Sequence, residues 1–269
     1  MSLPDLRTID HNGRTISYRE AGQGPVALLL HGIGSGSASW EGQLNGLSAN
    51  LRLIAWDAPG YGASDPLPGE TPPSSDYADA AAGLLDSLGV EKIHLVGHSL
   101  GTVIASSFAA RFPERLLSVT LASATAGYAK GDHAARVDRL NARMGAIRDL
   151  GPAGMAEARG REILSPDASD EALAKVRAVM SALHVDGYCQ AARMLHSSDI
   201  YDYIATIAVP ALVMCGAADK VTPEDLNQRI AGAIPGAIYR SLPGLGHASY
   251  VENPALFNEI LGGFLAGQG

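Results

Sequence analysis

Residues 92–101 read KIHLVGHSLG. In this stretch a short apolar run stops at Gly97, Ser99 follows between two glycines, and an alanine-rich helical pattern begins. The spacing Gly-x-Ser-x-Gly is typical of a sharp turn between a strand and a helix, where a strained serine backbone requires small neighbours. The helix that follows provides free N–H groups and the positive end of its dipole beside the serine oxygen. We therefore predict that Ser99 is a nucleophile.

The length and composition indicate which classes of protein are compatible with this chain. A chain of 269 residues can form one large domain or one domain with an insertion, and 46% hydrophobic residues with 18% charged residues are typical of a globular enzyme. The net charge of -8 disfavours binding to nucleic acids or anionic membranes, because those surfaces require clustered positive charge. The two cysteines, Cys189 and Cys215, lie in a helical region and at the end of an apolar run, so we expect buried thiols rather than a disulfide.

The sequence contains no spacing of Cys and His typical of a metal site, and we expect no metal and no cofactor. The N-terminus lacks the charged and apolar regions of a signal peptide, and no apolar stretch approaches the length of a transmembrane helix. We therefore expect a soluble cytoplasmic protein whose partner is a small-molecule substrate. The sequence does not indicate the oligomeric state.

Apolar runs and helical patterns alternate along both sides of the Ser99 turn. Residues 6–20 resemble a hairpin, and further strands are predicted at 25–30, 52–56, 116–122, 209–216 and 237–242. Helices are predicted at 39–51, 77–88, 99–112, 224–234 and 254–265. This alternation predicts an α/β protein with a mainly parallel sheet and helices on both faces.

The alternation stops between residues 123 and 207, where no convincing strand is found and the composition is charged and helical. Half of the chain's twenty lysines and arginines lie there, and acids are equally frequent, which favours solvated helix faces. The alternative is that one arginine, Arg143 or Arg193, points inward and binds an anionic group of a substrate. Four methionines in the same stretch either fill the core or line an adaptable pocket: Met144, Met155, Met180 and Met194.

Four candidate groups follow predicted strands, and catalytic groups of a doubly wound sheet lie beyond the carboxyl ends of its strands. They are the Gly32-Ile33-Gly34 turn, Ser99, Asp219 and His247. The glycine-rich turn lacks the phosphate-loop and dinucleotide fingerprints, so a turn that binds an oxyanion fits better.

Three other acids are weaker candidates than Asp219. Asp57 stands in a turn, where we expect its carboxylate to accept hydrogen bonds from backbone amides. Asp225 lies inside a predicted helix and Asp199 in the strand-free interval. We also expect His98 to pack near Ser99 without a catalytic role, and Glu252 to be a solvated or helix-starting acid.

The order serine, acid, histidine, together with the segments His31-Gly32-Ile33-Gly34, Gly97-His98-Ser99-Leu100-Gly101 and Gly246-His247, resembles the α/β-hydrolase fold superfamily over nearly the whole chain. The resemblance implies an eight-stranded, mostly parallel sheet with a helical cap inserted after the sixth strand. The core would be residues 1–122 and 208–269, and the cap residues 123–207. It further implies Ser99 as the nucleophile, His247 as general base and acid, and Asp219 as its orienting partner. The backbone N–H groups of Ile33 and Leu100 would form the oxyanion hole.

The function implied by this resemblance is a serine hydrolase of a small carboxylic ester or lactone. Dehalogenases and epoxide hydrolases of this fold carry an aspartate at the position of Ser99, which argues against both. Residues 244–257 look similar to 3-oxoadipate enol-lactone hydrolases. Two alternatives stay open: a carbon–carbon bond hydrolase acting on a ring-cleavage-type diketone acid, although such enzymes often have tryptophan at the position of Ala248, and a ligand-binding receptor built on the same fold.

Overall fold

A computed structural model describes residues 2–268, so the outer limits of the predicted core, Met1 and Gly269, lie outside the described residues. Eight strands form a single sheet in the order β1-β2-β4-β3-β5-β6-β7-β8. The strands are β1 (Leu6–His11), β2 (Arg14–Ala21), β3 (Val26–Leu30), β4 (Arg52–Trp56), β5 (Ile93–His98), β6 (Leu116–Ala122), β7 (Ala211–Gly216) and β8 (Ile238–Leu242).

The sheet is parallel except at one edge. β1 and β2 form an antiparallel hairpin whose turn residues, Asn12 and Gly13, have φ values of 54° and 78°. This is the conformation that two-residue hairpin turns favour. β2 also pairs antiparallel with β4, whereas all pairs among β3 to β8 are parallel. The predicted hairpin and mainly parallel sheet are therefore confirmed.

The central strands are covered on both faces. Every residue of β5 and β7 is buried, and because successive side chains point to opposite faces, both faces must be packed against other elements. The helices of the core are α1 (Glu41–Gly46), α2 (Ser74–Ser87), α3 (Leu100–Arg111), α7 (Glu224–Gly232), α8 (Ser249–Glu252) and α9 (Pro254–Ala266). Among them α2 packs on α3, and α1 packs on α9.

The first helix is shorter than its sequence pattern predicts. A 3₁₀ turn at Ser37–Trp40 leads into α1, which ends at Gly46 instead of continuing to residue 51. The backbone of Ser48 and Leu51 approaches Gly22 too closely to leave room for a side chain there, so this segment packs on the loop before β3. Glycine and asparagine are also weak helix formers, which favours an early end.

Residues 123–210, between β6 and β7, form the helical insert. It contains α4 (His133–Arg159), α5 (Asp170–Ser181) and α6 (Val185–Ser197). Gly151 interrupts α4 with φ 66° and ψ 170°. Within these residues, all of which the structure describes, the sole β pairing is an isolated bridge between Gly127 and Asp199. The predicted helical insertion after the sixth strand is confirmed.

The parallel strands place their following loops at the same edge of the sheet. Gly32 follows β3, Ser99 follows β5, Asp219 follows β7 and His247 follows β8. These four segments are the carboxyl edge of the sheet, where ligands of open α/β sheets bind. None of the helices between residues 2 and 268 is long and apolar enough to span a membrane.

Candidate active site

Ser99 lies between β5 and α3 in a strained conformation, with φ 50° and ψ -115°. Such a conformation costs roughly 1–3 kcal/mol for a residue with a side chain and persists only where its surroundings fix it. The Ser99 N–H donates to the Ala122 carbonyl at 3.0 Å, and the Ser99 carbonyl accepts from the Thr102 hydroxyl at 2.6 Å. A side chain on Gly97 would clash with the carbonyl of Gly101, so the predicted need for small neighbours has a steric cause.

Asp219 is buried in the loop after β7, and both of its carboxylate oxygens accept hydrogen bonds. Its Oδ1 accepts from the N–H groups of Val221 at 2.8 Å and Thr222 at 2.9 Å. Its Oδ2 accepts from the Thr222 hydroxyl at 2.9 Å and lies 2.9 Å from His247 Nδ1. Burial raises the pKa of the Asp219 carboxyl, but the hydrogen bond and charge of His247 and the hydrogen bonds of Thr222 outweigh burial and lower it to about 2. The carboxyl is therefore ionised at neutral pH.

His247 is 5% exposed and lies in the loop after β8. Because the Asp219 carboxylate only accepts hydrogen bonds, His247 Nδ1 carries the proton of the neutral ring, which leaves Nε2 as its basic nitrogen. Ser99 and His247 line the same cavity. The structure thus joins Asp219 to His247 directly and places Ser99 in the cavity that His247 faces.

The other candidate acids are engaged elsewhere. Asp57 accepts from the Ser37 N–H at 2.7 Å and the Ser17 hydroxyl at 2.8 Å, as expected for an acid in a turn. Asp199 pairs with Lys130 at 2.8 Å, and Asp225 is exposed and pairs with Arg229 at 2.6 Å.

The Gly32-Ile33-Gly34 turn lies against Ser99. A side chain on Gly32 would begin 3.2 Å from Ser99 Cβ, so glycine allows this close approach. The Tyr61 hydroxyl donates to the Ile33 carbonyl at 2.9 Å, which fixes the turn. Ile33 lines the cavity. Leu100 is buried at the first position of α3, where a helix has no acceptor of its own for the N–H group, and it does not line the cavity.

His31 also holds this turn in place through the Gly32 carbonyl. Its Nε2 accepts from the Ala58 N–H at 2.9 Å, so its Nδ1 carries the proton and donates to the Gly32 carbonyl at 2.8 Å. Burial lowers the pKa of this ring, which keeps it in the neutral form that both bonds require.

His98 supports the loop of His247. Its Nε2 donates to the His247 carbonyl at 2.9 Å, and the two rings lie 4.8 Å apart between centroids. Burial, followed by the charge of His247, lowers the pKa of His98 to about 3, so it stays neutral. This packing role agrees with the expectation from the sequence.

Sequence reasoning missed two residues of the site. The Thr222 hydroxyl donates to Asp219 and lies 3.2 Å from His247 Nδ1. The one sign of this role in the sequence is that Thr222 follows Asp219 by three positions in the same loop. Glu252 lies in the first turn of α8, as expected of a helix-starting acid, but it is half-buried instead of solvated. Its Oε1 accepts from the N–H groups of Gly246 at 2.8 Å and Ser165 at 3.1 Å, and thereby ties the His247 loop to the helical insert. No sequence pattern signals a contact over 87 positions.

The cavity has a volume of about 700 Å³, within the usual range for small-molecule sites. Its floor is the carboxyl edge of the sheet, and the helical insert contributes the apolar residues Met155, Val176, Val179 and Met180. Met144 and Met194 are buried elsewhere, so the four methionines divide between lining and core. Among residues 2–268, no cluster of three or more His, Cys, Asp or Glu side chains is arranged to hold a metal ion.

Comparison with known proteins identifies the family. Residues 27–260 match the model of the alpha/beta hydrolase family, and the chain belongs to this family. A 2-hydroxy-6-oxononadienedioate/2-hydroxy-6-oxononatrienedioate hydrolase of Pseudomonas putida is 28% identical, over 93% of this chain and 91% of its own length. A thermophilic esterase from Thermogutta terrifontis superposes with a TM-score of 0.87 at 25% identity, covering 99% of both chains. The enol-lactonase from Burkholderia xenovorans LB400 has a TM-score of 0.87 at 25% identity, covering 97% of this chain and all of its own.

Proposed function

We propose that this chain is a serine hydrolase that cleaves a small carboxylic ester or lactone through an acyl-enzyme intermediate. The observation that carries the proposal is the hydrogen-bonded Asp219–His247 pair facing the cavity that contains the strained Ser99. A serine hydroxyl is a poor nucleophile at neutral pH, and a neighbouring base is the usual means of activating it.

The chemistry follows from the protonation states. His247 Nε2 takes the proton of Ser99 while the serine oxygen attacks the carbonyl carbon, and the ionised Asp219 stabilises the imidazolium that forms. His247 then returns this proton to the leaving alcohol as the carbon–oxygen bond breaks. Water, activated by the same ring, hydrolyses the acyl-enzyme. In this proposal the N–H groups of Ile33 and Leu100 bind the oxyanion, and loss of one such donor costs about 3–4 kcal/mol.

The relatives support this reaction class. Two structures that superpose on nearly the whole chain are an esterase and an enol-lactonase. We also infer that residues 123–207 act as a cap domain on the core, because the insert supplies one wall of the cavity.

A carbon–carbon bond hydrolase with the same three residues is the second candidate. It is favoured by the similarity to the Pseudomonas putida hydrolase, whose name denotes an oxo-dienedioate substrate. The two candidates share Ser99, His247 and Asp219 and differ in the bond that breaks.

Steady-state rates on a panel of 4-nitrophenyl esters, lactones and vinylogous diketone acids distinguish them. The proposal predicts turnover of esters or lactones that disappears in Ser99→Ala. Background rates on all esters and lactones, together with turnover of a diketone acid, would replace it by the second candidate.

A further inference from the structure

The cavity is positively charged although the chain is acidic. Its lining contains two more basic than acidic side chains, whereas the whole chain has a net charge of -8. The basic residues are Arg19, Arg139, Arg143, Arg159 and Lys175, and the acids are Glu41, Asp57 and Glu162. Clefts lined by one sign of charge concentrate ligands of the opposite sign.

The acids of this lining are already engaged. Glu162 pairs with Arg159 at 2.5 Å and Glu41 with Lys175 at 3.5 Å, while Asp57 is held by the two serine donors described above. Among the described residues of the lining, Asp57 is thus the one carboxylate outside an ion pair, and the remaining arginines outnumber it: Arg19, Arg139 and Arg143.

Arg19 and Arg143 are the half-buried members of this remaining group, and Arg19 already donates to the Pro4 carbonyl. The guanidinium carbon of Arg143 lies 5.8 Å from the centroid of the Tyr128 ring, and within residues 2–268 Arg143 has no ion pair and no hydrogen bond. Arg139, on the same ring at 5.0 Å, is exposed. Arg193, the other candidate from the sequence, is 3.7 Å from Glu70 and does not line the cavity. The structure thus separates two arginines that the sequence left equal.

Tyr61 shares the cavity lining with Arg143 and contacts the turn beside Ser99. The Tyr61 hydroxyl holds the Ile33 carbonyl of that turn. Burial raises the pKa of Tyr61 well above its usual range, and the nearby charge of Arg143 opposes this rise. Arg143 and Tyr61 thus line one cavity, and the guanidinium has donors available to a ligand.

We propose that Arg143 binds a free carboxylate of the substrate, so that the ester or lactone cleaved at Ser99 is acidic. The inference rests on the proposed function for the bond that breaks, but not for the binding of the carboxylate. A guanidinium presents parallel N–H donors that match the two oxygens of a carboxylate. The apolar side chains of α5 that line the same cavity suit a methylene spacer between the carboxylate and the scissile carbonyl.

The test compares matched pairs of substrates. Each pair is the mono-4-nitrophenyl ester of succinic, glutaric or adipic acid and the methyl ester of its free carboxyl group. The wild-type protein should show a kcat/KM for at least one acid about 10- to 100-fold above that of its methyl ester, because hydrogen bonds between charged groups are strong. Arg143→Gln should reduce this ratio to about 1, and Arg143→Lys should restore part of it.

Arg148→Gln is the matched control, since Arg148 is exposed on the same helix and does not line the cavity. It should keep the wild-type ratio. A second measurement does not depend on hydrolysis: calorimetric titration of glutarate into Ser99→Ala and into Ser99→Ala/Arg143→Gln. The Kd should rise by about 10-fold or more in the double variant.

The outcomes separate the two proposals. If Arg143→Gln slows both members of each pair equally, Arg143 supports the insert through Tyr128 and the inference is overturned. It is also overturned if wild type shows no preference for any acid and glutarate binding does not depend on Arg143. If no ester is hydrolysed but glutarate binding depends on Arg143, the carboxylate site stands and the proposed hydrolysis fails.

Discussion

The carboxyl edge of the sheet and the helical insert face one cavity, but their polar side chains are held differently. On the sheet side, Asp219 accepts bonds from two amides, a hydroxyl and a ring nitrogen, and His31 and Tyr61 have fixed partners. On the insert side, Arg139 and Arg143 lie over the face of Tyr128 and have no hydrogen bond or ion pair within residues 2–268. Groups that perform chemistry need precise positions, whereas groups that bind a ligand need free donors. The difference is the one that the two proposals require, with the reaction set by the sheet and the substrate selected by the insert.

The largest expected effect comes from Asp219→Asn. An amide at this position favours the wrong tautomer of His247, so kcat for a 4-nitrophenyl ester should fall about 10⁴-fold. The control is Asp225→Asn, which alters an exposed ion pair outside the cavity and should keep activity within about 2-fold of wild type. A fall of less than about 10-fold in Asp219→Asn would mean that the fixed partner of His247 is dispensable.

The same carboxyl makes stability depend on pH. Its pKa of about 2 in the folded protein lies below the ordinary value of 3.8, so its stabilising contribution is complete above about pH 5 and is lost as pH falls toward 2. The contribution is about 2 kcal/mol at neutral pH. The difference in unfolding free energy between wild type and Asp219→Asn, measured in urea, should be about 1 kcal/mol smaller at pH 3 than at pH 7. A constant difference would contradict the assignment of a low pKa.

Variants of Glu252 test the junction between the His247 loop and the helical insert. Glu252→Ala removes the acceptor shared by Gly246 and Ser165, so the amide hydrogens of both residues should exchange about 10-fold faster. Glu252→Gln keeps an accepting oxygen and should retain most of the protection. Unchanged exchange in the alanine variant would show that this carboxylate does not hold the insert to the His247 loop.

Thr222→Val gives the smallest expected effect. Loss of one hydroxyl bond to Asp219 should lower kcat about 3- to 10-fold with little change in KM, and Thr222→Ser should restore it. Steady-state kinetics on one ester decide the matter. A serine variant as slow as the valine variant would point to the methyl group of Thr222 instead of its hydroxyl.

The sequence was most informative where local rules apply. The apolar run before Ser99 and the glycines around it depend on residues adjacent in the chain, and the strand β4 was predicted with its observed limits. The roles of Glu252 and His31 depend on partners many positions away, which no single pattern encodes. Arg143 and Arg193 have similar surroundings in the sequence, and only packing places one in the cavity.

The activation of Ser99 is tested most directly by its reaction with a fluorophosphonate probe, followed by peptide mass spectrometry. The wild-type protein should acquire a single adduct, on Ser99, and His247→Ala should react at the rate of Ser99→Ala. Ser107→Ala is the matched control on α3, because the Ser107 hydroxyl is buried without a hydrogen-bond partner among the described residues. It should react as fast as wild type. Labelling of the wild-type protein no faster than Ser99→Ala would contradict the assignment of Ser99 as an activated nucleophile.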